Sequence, residues 1–257
     1  MPSSLGFHVG DFFVAYYGLA ILIGLILAVL VGWYQVRRHG LVFNDLIIIL
    51  SVCAFGGILG AKLLYLVVSW RQIQFERLLD VDYLNTLMQG GFVFYGGLLG
   101  GLSGLLFCQH TLKIPVQPYV KVAMPCVPLA HGFGRIGCAW VGCCYGVPYD
   151  GPFSIVYTCS LFAPNHISLF PVQALESLLV LRIAGILLLY INRYGGRHSL
   201  RWYILLYAPV RFILECFRYD PERGFLFGLS ISQWISLLLV GGVLLLWFVD
   251  HRKQAVT

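Results

Sequence analysis

Seven stretches of this chain stay apolar for about the 20 residues that a helix needs to cross a hydrocarbon layer. They cover residues 12–34, 44–70, 91–108, 122–142, 172–192, 202–217 and 231–249. The pattern predicts an all-α polytopic membrane bundle of about seven transmembrane helices. Glycine, proline and charge interrupt the fourth and sixth runs, which predicts broken helices whose freed backbone groups are satisfied inside the bundle. No low-complexity tract, charged tail or flexible linker divides the chain, so residues 1–257 are expected to form a single integral-membrane domain. The first ten residues lack the basic segment of a secretory signal, and the apolar run behind them is too long for a signal core, so a retained span is expected.

Composition sharpens the class. With 59% apolar and 11% charged residues and a mean hydropathy of +0.83, an ordinary water-soluble domain is excluded. Between the expected spans, nine lysines and arginines fall on one side: Arg37, Arg38, Lys113, Lys121, Arg193, Arg197, Arg201, Arg252 and Lys253. Four fall on the other: Arg71, Arg77, Arg218 and Arg223. The excess predicts that the first side is cytoplasmic, with the N-terminus outside, the C-terminus inside and loops 71–90, 143–171 and 218–230 facing outward. Insertion and attraction to anionic lipid account for the net charge of +6. No basic face with aromatic platforms is present, so nucleic acid is not an expected partner.

Glycines at one-turn spacing, Gly56-x3-Gly60, Gly96-x3-Gly100-x3-Gly104 and Gly97-x3-Gly101, predict helices whose backbones approach closely. Gly90, Gly91, Gly96 and Gly97 also flank Phe92-Val93-Phe94-Tyr95 at the outward end of the third span. There, bare backbone and a tyrosine hydroxyl are placed to meet a substrate at headgroup depth.

Four cations interrupt apolar segments: Lys62, Arg135, Arg182 and Arg211. An ionisable group at bilayer depth is expensive and marks a functional site by default. Arg135 lies in the densest polar motif of the chain, His131-Gly-Phe-Gly-Arg135-Ile-Gly137-Cys138, followed by Gly142, Cys143, Cys144 and Gly146. On a continuous helix His131, Arg135 and Cys138 share a face. A reaction on an anionic lipid headgroup is the economical explanation, although Arg211 also fits a structural role beside Glu176 or Glu215.

The thiols leave alternatives open. His131, Cys138, Cys143 and Cys144 suit a tetrahedral metal site poorly, because two cysteines are adjacent and no second Cys-x2-Cys exists, so no metal is expected. Cys159 in the outer loop is a partner for a disulfide with one of the adjacent pair. Cys53, Cys108, Cys126 and Cys216 lie in apolar surroundings and are expected to behave as small core hydrophobes. A membrane thiol oxidoreductase built on Cys138, Cys143 and Cys144 is one competing function, without a Cys-x2-Cys pair to support it. A transporter with its site at the broken helices is another, without a visible duplicated half.

Five segments in order carry a resemblance over essentially the whole chain: Tyr16-Tyr17-Gly18; Gly90-Gly91 through Tyr95-Gly96-Gly97 to Gly100; Gly134-Arg135-Ile-Gly137 through Gly142 and Gly146; Pro171-Val-Gln173-Ala-Leu-Glu176; and Arg211-Phe-Ile-Leu-Glu215-Cys-Phe-Arg218-Tyr-Asp220. Gly228-Leu-Ser-Ile-Ser232-Gln233 completes the series. In this order they resemble the prolipoprotein diacylglyceryl transferases. The resemblance implies transfer of a diacylglyceryl group from phosphatidylglycerol to the lipobox cysteine of a preprolipoprotein signal peptide, releasing glycerol phosphate without a cofactor. It also implies a multi-pass protein of the bacterial inner membrane, its active site toward the outer face.

By the same resemblance Arg135 and Arg211 orient the phosphate and stabilise its developing charge. Tyr17, Gly96, Gly97, Gly137, Gly142, Gln173, Glu176, Glu215 and Arg218 are expected to bind substrate. Two departures stand out. Tyr95 occupies a position where the family carries histidine, and Cys138, Val141 and Cys143 replace two amides and a carboxylate. His131 is therefore expected to accept the thiol proton, relaying through Cys138 or Cys143, while Tyr95 positions the lipid.

Overall fold

The computed structural model describes residues 6–10, 12–74, 77, 80–89, 93–220 and 224–256. Gly90, Gly91 and Phe92 of the third-span motif, Arg223 and the side chain of Lys253 lie outside the described residues. The chain divides into two compact units, one formed by 1–35 with 120–257 and the other by 36–119.

The second unit is built on two apolar helices, α2 (Phe43–Val68) and α4 (Phe94–His110), with the short α3 (Val81–Gln89) between them. Their packing has a plain cause in the glycine pattern. A β carbon on Gly56 would lie 2.6 Å from the Gly100 carbonyl oxygen, and one on Gly104 would lie 3.0 Å from the Cys53 α carbon. Gly60 and Gly96 face each other's carbonyls in the same way. Only bare backbone fits this approach, so dispersion contacts replace the hydrophobic drive that lipid does not supply. Lys62 is buried and donates to the Leu87 carbonyl of α3, which ties that helix to α2. Asp45, near the start of α2, accepts from Tyr119 at 2.9 Å.

The first unit opens with a hairpin, β1 (Gly6–Val9) and β2 (Phe12–Ala15), which pairs Gly6 with Ala15. The expected first span therefore starts later, with α1 (Tyr16–Arg38). The fourth expected span is broken into α5 (Val116–Ala123) and α6 (Cys126–Val141). Pro125 stands between them, fixing φ and lacking the N–H that would carry a helix through. The sixth is not broken. Helix α8 (Ser199–Glu215) runs through Pro209, which removes a single backbone donor.

Helices α7 (Val172–Tyr194) and α9 (Ile231–Val256) complete the set. Among the described residues α1, α2, α7 and α9 are long and apolar enough to cross a membrane. Helices α4, α6 and α8 span 17, 16 and 17 residues.

Helix α6 docks on α7 through Gly132, where an added β carbon would lie 2.6 Å from the Leu181 side chain. Ser177 Oγ donates to the Gly132 carbonyl at 2.9 Å, fixing the rotation of one helix against the other. On the opposite side of α6, Gly137 receives Tyr17 of α1, whose ring carbon would stand 2.9 Å from a β carbon. Gly142 ends α6 with φ of +84°, the left-handed conformation glycine adopts without strain.

The segment after α6 is folded rather than loose. Strands β3 (Ile155–Val156) and β4 (Ser168–Leu169) pair antiparallel, and Tyr157, Ala163 and Leu169 form a small core beneath them. Tyr157 donates to the Ala139 carbonyl at 2.8 Å and Ser160 to that of Val141 at 2.7 Å, so this segment satisfies the C-terminal carbonyls of α6. The short pair β5 (Phe225–Leu226) and β6 (Leu229–Ser230) leads into α9.

Candidate active site

Glu176 is the centre of the polar cluster. It projects from the first turns of α7, is 1% exposed, and faces three basic side chains from two other helices. Arg135 Nε of α6 lies 3.0 Å from its Oε2, Arg211 Nη1 of α8 lies 3.7 Å from the same oxygen, and His131 Nε2 lies 3.7 Å from Oε1. A carboxylate this deep is tolerated only when paired and hydrogen-bonded. Its remaining contact comes from Tyr207, whose hydroxyl donates to Oε1 at 3.2 Å.

Local helix geometry explains the convergence. His131 and Arg135 are one turn apart on α6, while Tyr203, Tyr207, Arg211 and Glu215 follow at successive four-residue steps on α8. Four-residue steps line up on one helix face. The Tyr203 and Tyr207 rings stack at 5.7 Å, and the edge of Tyr207 meets His131 at 5.2 Å.

A second layer surrounds Glu215. Its Oε2 lies 2.6 Å from Arg211 Nη2 and 3.7 Å from Arg218 Nη1. Arg218 grips Asp220 with two bonds of 2.9 and 2.6 Å, and Arg211 Nη2 also donates to Ser232 of α9 at 3.2 Å. Three arginines thus meet three carboxylates.

The guanidinium donors are not exhausted. Arg211 Nη1 is buried and, among the described residues, donates no hydrogen bond. Arg135 uses only its Nε toward Glu176. A buried donor without a hydrogen bond costs about 1–3 kcal/mol, so this cluster is prepared for an acceptor such as a phosphate oxygen.

The thiols close one end. Cys138 of α6 and the adjacent Cys143 and Cys144 hydrogen-bond one another. Cys144 adopts a left-handed backbone, φ +57°, in the turn after α6. Hydrogen bonds from the other two thiols, reinforced by Arg135 and Arg218, hold the Cys144 pKa below the usual thiol range. Gln173 Nε2 donates to the Cys143 carbonyl at 2.9 Å and fixes this turn to α7. All eight cysteines are free thiols, so the expected bridge to the exposed Cys159 is not formed. Cys216 is exposed rather than part of an apolar core, its sulfur 3.4 Å from Gln233 Nε2. Among the described residues no set of three His, Cys, Asp or Glu side chains is arranged to hold a metal.

The structure therefore brings together Arg135, Arg211, His131, Gln173, Glu176, Glu215, Arg218, Cys138, Cys143 and Cys144. Tyr17, Gly137 and Gly142 lie alongside, and their visible work is packing and capping. Tyr95, Gly96 and Gly97 belong to α4 of the other unit, where Gly96 receives the Gly60 backbone. Arg182 is exposed on α7 and takes no part in the cluster. Sequence reasoning missed Tyr207, although its spacing of four from Arg211 was a readable signal.

Apolar helices around a buried cluster of arginines and carboxylates define a membrane protein with a polar centre suited to an anion. The chain belongs to the prolipoprotein diacylglyceryl transferase family, whose pattern matches residues 4–249. It is 36% identical over 243 residues to the phosphatidylglycerol–prolipoprotein diacylglyceryl transferase of Clostridium tetani, covering 93% of this chain and 94% of that one. It is 34% identical over 232 residues to transferase 2 of that name from Clostridium perfringens, covering 89% and 88%. A transferase of Dehalococcoides mccartyi is 26% identical over 256 residues, covering 97% and 94%. The protein is accordingly a mostly helical, multi-pass membrane transferase.

Proposed function

We propose that this protein transfers the diacylglyceryl group of phosphatidylglycerol to the lipobox cysteine of a preprolipoprotein signal peptide. The acceptor sulfur attacks the glyceryl carbon that bears the phosphate, a carbon–sulfur bond forms, and the carbon–oxygen bond breaks. The departing glycerol phosphate keeps the bonding electrons. The acceptor thiol loses its proton to a protein group, which ultimately returns it to the released phosphate or to water.

The observation that carries this reading is Arg211 Nη1, buried 3.7 Å from Glu176 and without a hydrogen bond among the described residues, beside the Arg135–Glu176 pair. Two planar forks in a largely buried site match the oxygens of a phosphodiester and stabilise the charge that grows on it. Glu176 holds both forks in place, and Glu215 with Arg218 sets the second one. Gln173 orients the turn that carries the thiols, Tyr17, Gly137 and Gly142 shape the wall, and Tyr95 with Gly96 and Gly97 serves the lipid on α4. His131, whose Nε2 lies 3.7 Å from Glu176 and whose ring meets the edge-on Tyr207, takes the thiol proton. A second reading has the Cys144 sulfur in place of His131 as the proton acceptor, because the neighbouring thiols and arginines favour its ionised form.

Residues 1–257 act in this reading as one integral-membrane domain of seven spans. It resides in the bacterial inner membrane with the N-terminus and active site toward the outer face and the C-terminus in the cytoplasm. The nine-to-four distribution of basic residues supports that orientation.

The deciding experiment is complementation of a strain depleted of its own transferase, with mass spectrometry of a model lipoprotein. A diacylglyceryl-sized gain on the lipobox cysteine is expected. Absence of that gain, with the protein inserted and abundant, overturns the reading.

A further inference from the structure

At the opposite ends of the same helices a cavity opens, with a volume of about 630 Å³. It is lined by Arg197 and His198 from the turn between α7 and α8, Arg201 from α8, and Asp250 and His251 from α9. Trp247 and Phe248 supply its apolar wall. Arg201 and Arg211 are ten residues apart on α8, and Ser232 and Trp247 fifteen apart on α9. At about 1.5 Å per residue the cavity sits roughly 15–22 Å along the helices from the Glu176 cluster.

Three observations describe its chemistry. First, its charge is unbalanced: among the described residues that line it, two arginines, Arg197 and Arg201, face one carboxylate, Asp250, which Arg201 engages at 2.7 Å. Second, that surplus acts on its neighbours. Burial and the positive charges of Arg201, Arg197 and Lys121 hold the His198 pKa below its ordinary value, against an opposing pull from Asp250.

Third, aromatic rings mark the depth. Tyr190 meets Trp202 at 6.2 Å, Trp202 meets Trp247 at 5.6 Å, and the Arg252 guanidinium lies 4.7 Å over the Phe248 ring. Tryptophan and tyrosine concentrate where hydrocarbon gives way to headgroups. A cationic hollow with an apolar wall at that level matches a molecule with a phosphate at one end and acyl chains at the other.

We propose that this cavity binds the phosphate of an anionic phospholipid as a second lipid site, separate from the transferase centre. Arg197 and Arg201 meet the phosphate oxygens, His198 and His251 flank them, and the acyl chains run along Trp247 and Phe248. Basic pockets between helix ends hold anionic headgroups by this combination of charge and apolar wall. The inference does not rest on the reaction proposed above.

The test reads the His198 titration by NMR in histidine-labelled protein, the signal identified by its loss in His198→Gln. Protein is placed in nanodiscs of phosphatidylglycerol, of phosphatidylcholine, and of phosphatidylcholine with millimolar inorganic phosphate. A bound anion beside His198 is expected to raise its pKa by about 1 unit in phosphatidylglycerol relative to phosphatidylcholine. Arg197→Gln, which leaves the Arg201–Asp250 pair intact, and Arg197→Gln with Arg201→Gln are expected to lose that rise. A rise of equal size in both variants reflects the membrane's surface charge alone and overturns the site. A rise produced by inorganic phosphate in phosphatidylcholine makes the ligand a soluble phosphate and overturns the lipid assignment. Loss of transfer activity in Arg211→Ala with an unchanged His198 titration is expected, since the two sites are independent.

Discussion

Arg135 Nε and Glu176 Oε2 meet at 3.0 Å across the α6–α7 interface, and this pair fixes what the two helices present to the polar cluster. The contact exists because Gly132 lets α7 approach and Ser177 locks the rotation. Packing and chemistry therefore share one interface. Glu176→Ala is expected to leave Arg135 buried without its carboxylate and Arg211 with Glu215 alone, at a cost of about 3–5 kcal/mol. Thermal unfolding in detergent measures the loss, and Glu176→Gln, which keeps the shape and an acceptor, should recover part of it.

Arg135→Ala and Arg211→Ala are each expected to lower lipid transfer by at least about a hundredfold, since one positioned donor to a developing charge is worth about 2.7–4 kcal/mol. Arg135→Lys should recover only part, because an ammonium cannot reproduce a planar fork that serves Glu176 and a phosphate together. Single-turnover transfer assays check both. Near-normal turnover in an inserted Arg135→Ala protein removes the residue from the mechanism.

The glycine contacts of the second unit make a graded prediction. Gly56→Ala puts a β carbon 2.6 Å from a backbone carbonyl that cannot move aside, whereas at Gly101 the nearest atom is 3.7 Å away. Gly56→Ala is expected to destabilise the α2–α4 pair and Gly101→Ala to be nearly neutral. Resistance to unfolding in a graded series of denaturing detergent distinguishes them.

What was legible in the sequence follows from which forces are local. Helix positions followed from apolar run length, and the Gly56, Gly60, Gly96 and Gly100 contact from one-turn spacing. His131, Arg135 and Cys138 could be placed on one face because a single helix carries them. Glu176 as the hub was harder to see, since its partners come from α6 and α8, up to 45 residues away in sequence. The exposure of Cys216 and the unbroken course of α8 were missed for related reasons. Apolar neighbours in sequence do not reveal which side of a helix is covered, and proline in a membrane helix removes one hydrogen bond without requiring a break.

Topology has a direct test. A reporter fused after Lys253 is expected in the cytoplasm and one inserted near Asp82 outside, as the basic-residue bias requires. Both reporters on the same side would exclude a seven-span arrangement.

The thiol cluster sets the last prediction. In the folded protein the Cys138 and Cys143 thiols are in hydrogen-bonding contact with the Cys144 sulfur, and Arg135 and Arg218 stand beside it, so its pKa is depressed. In the unfolded chain the same thiol titrates near its usual value of about 8.5. Between those two values the unfolded state binds more protons, so the cluster's contribution to stability is complete above about pH 8.5 and falls as pH is lowered toward the folded value. Cys144→Ser is expected to flatten that part of the stability–pH profile, measured by thermal unfolding under reducing conditions. The same variant separates the two proton acceptors. Transfer that survives Cys144→Ser but is lost in His131→Gln, across a pH series at single turnover, assigns the proton to the histidine. The reverse pattern assigns it to the thiolate.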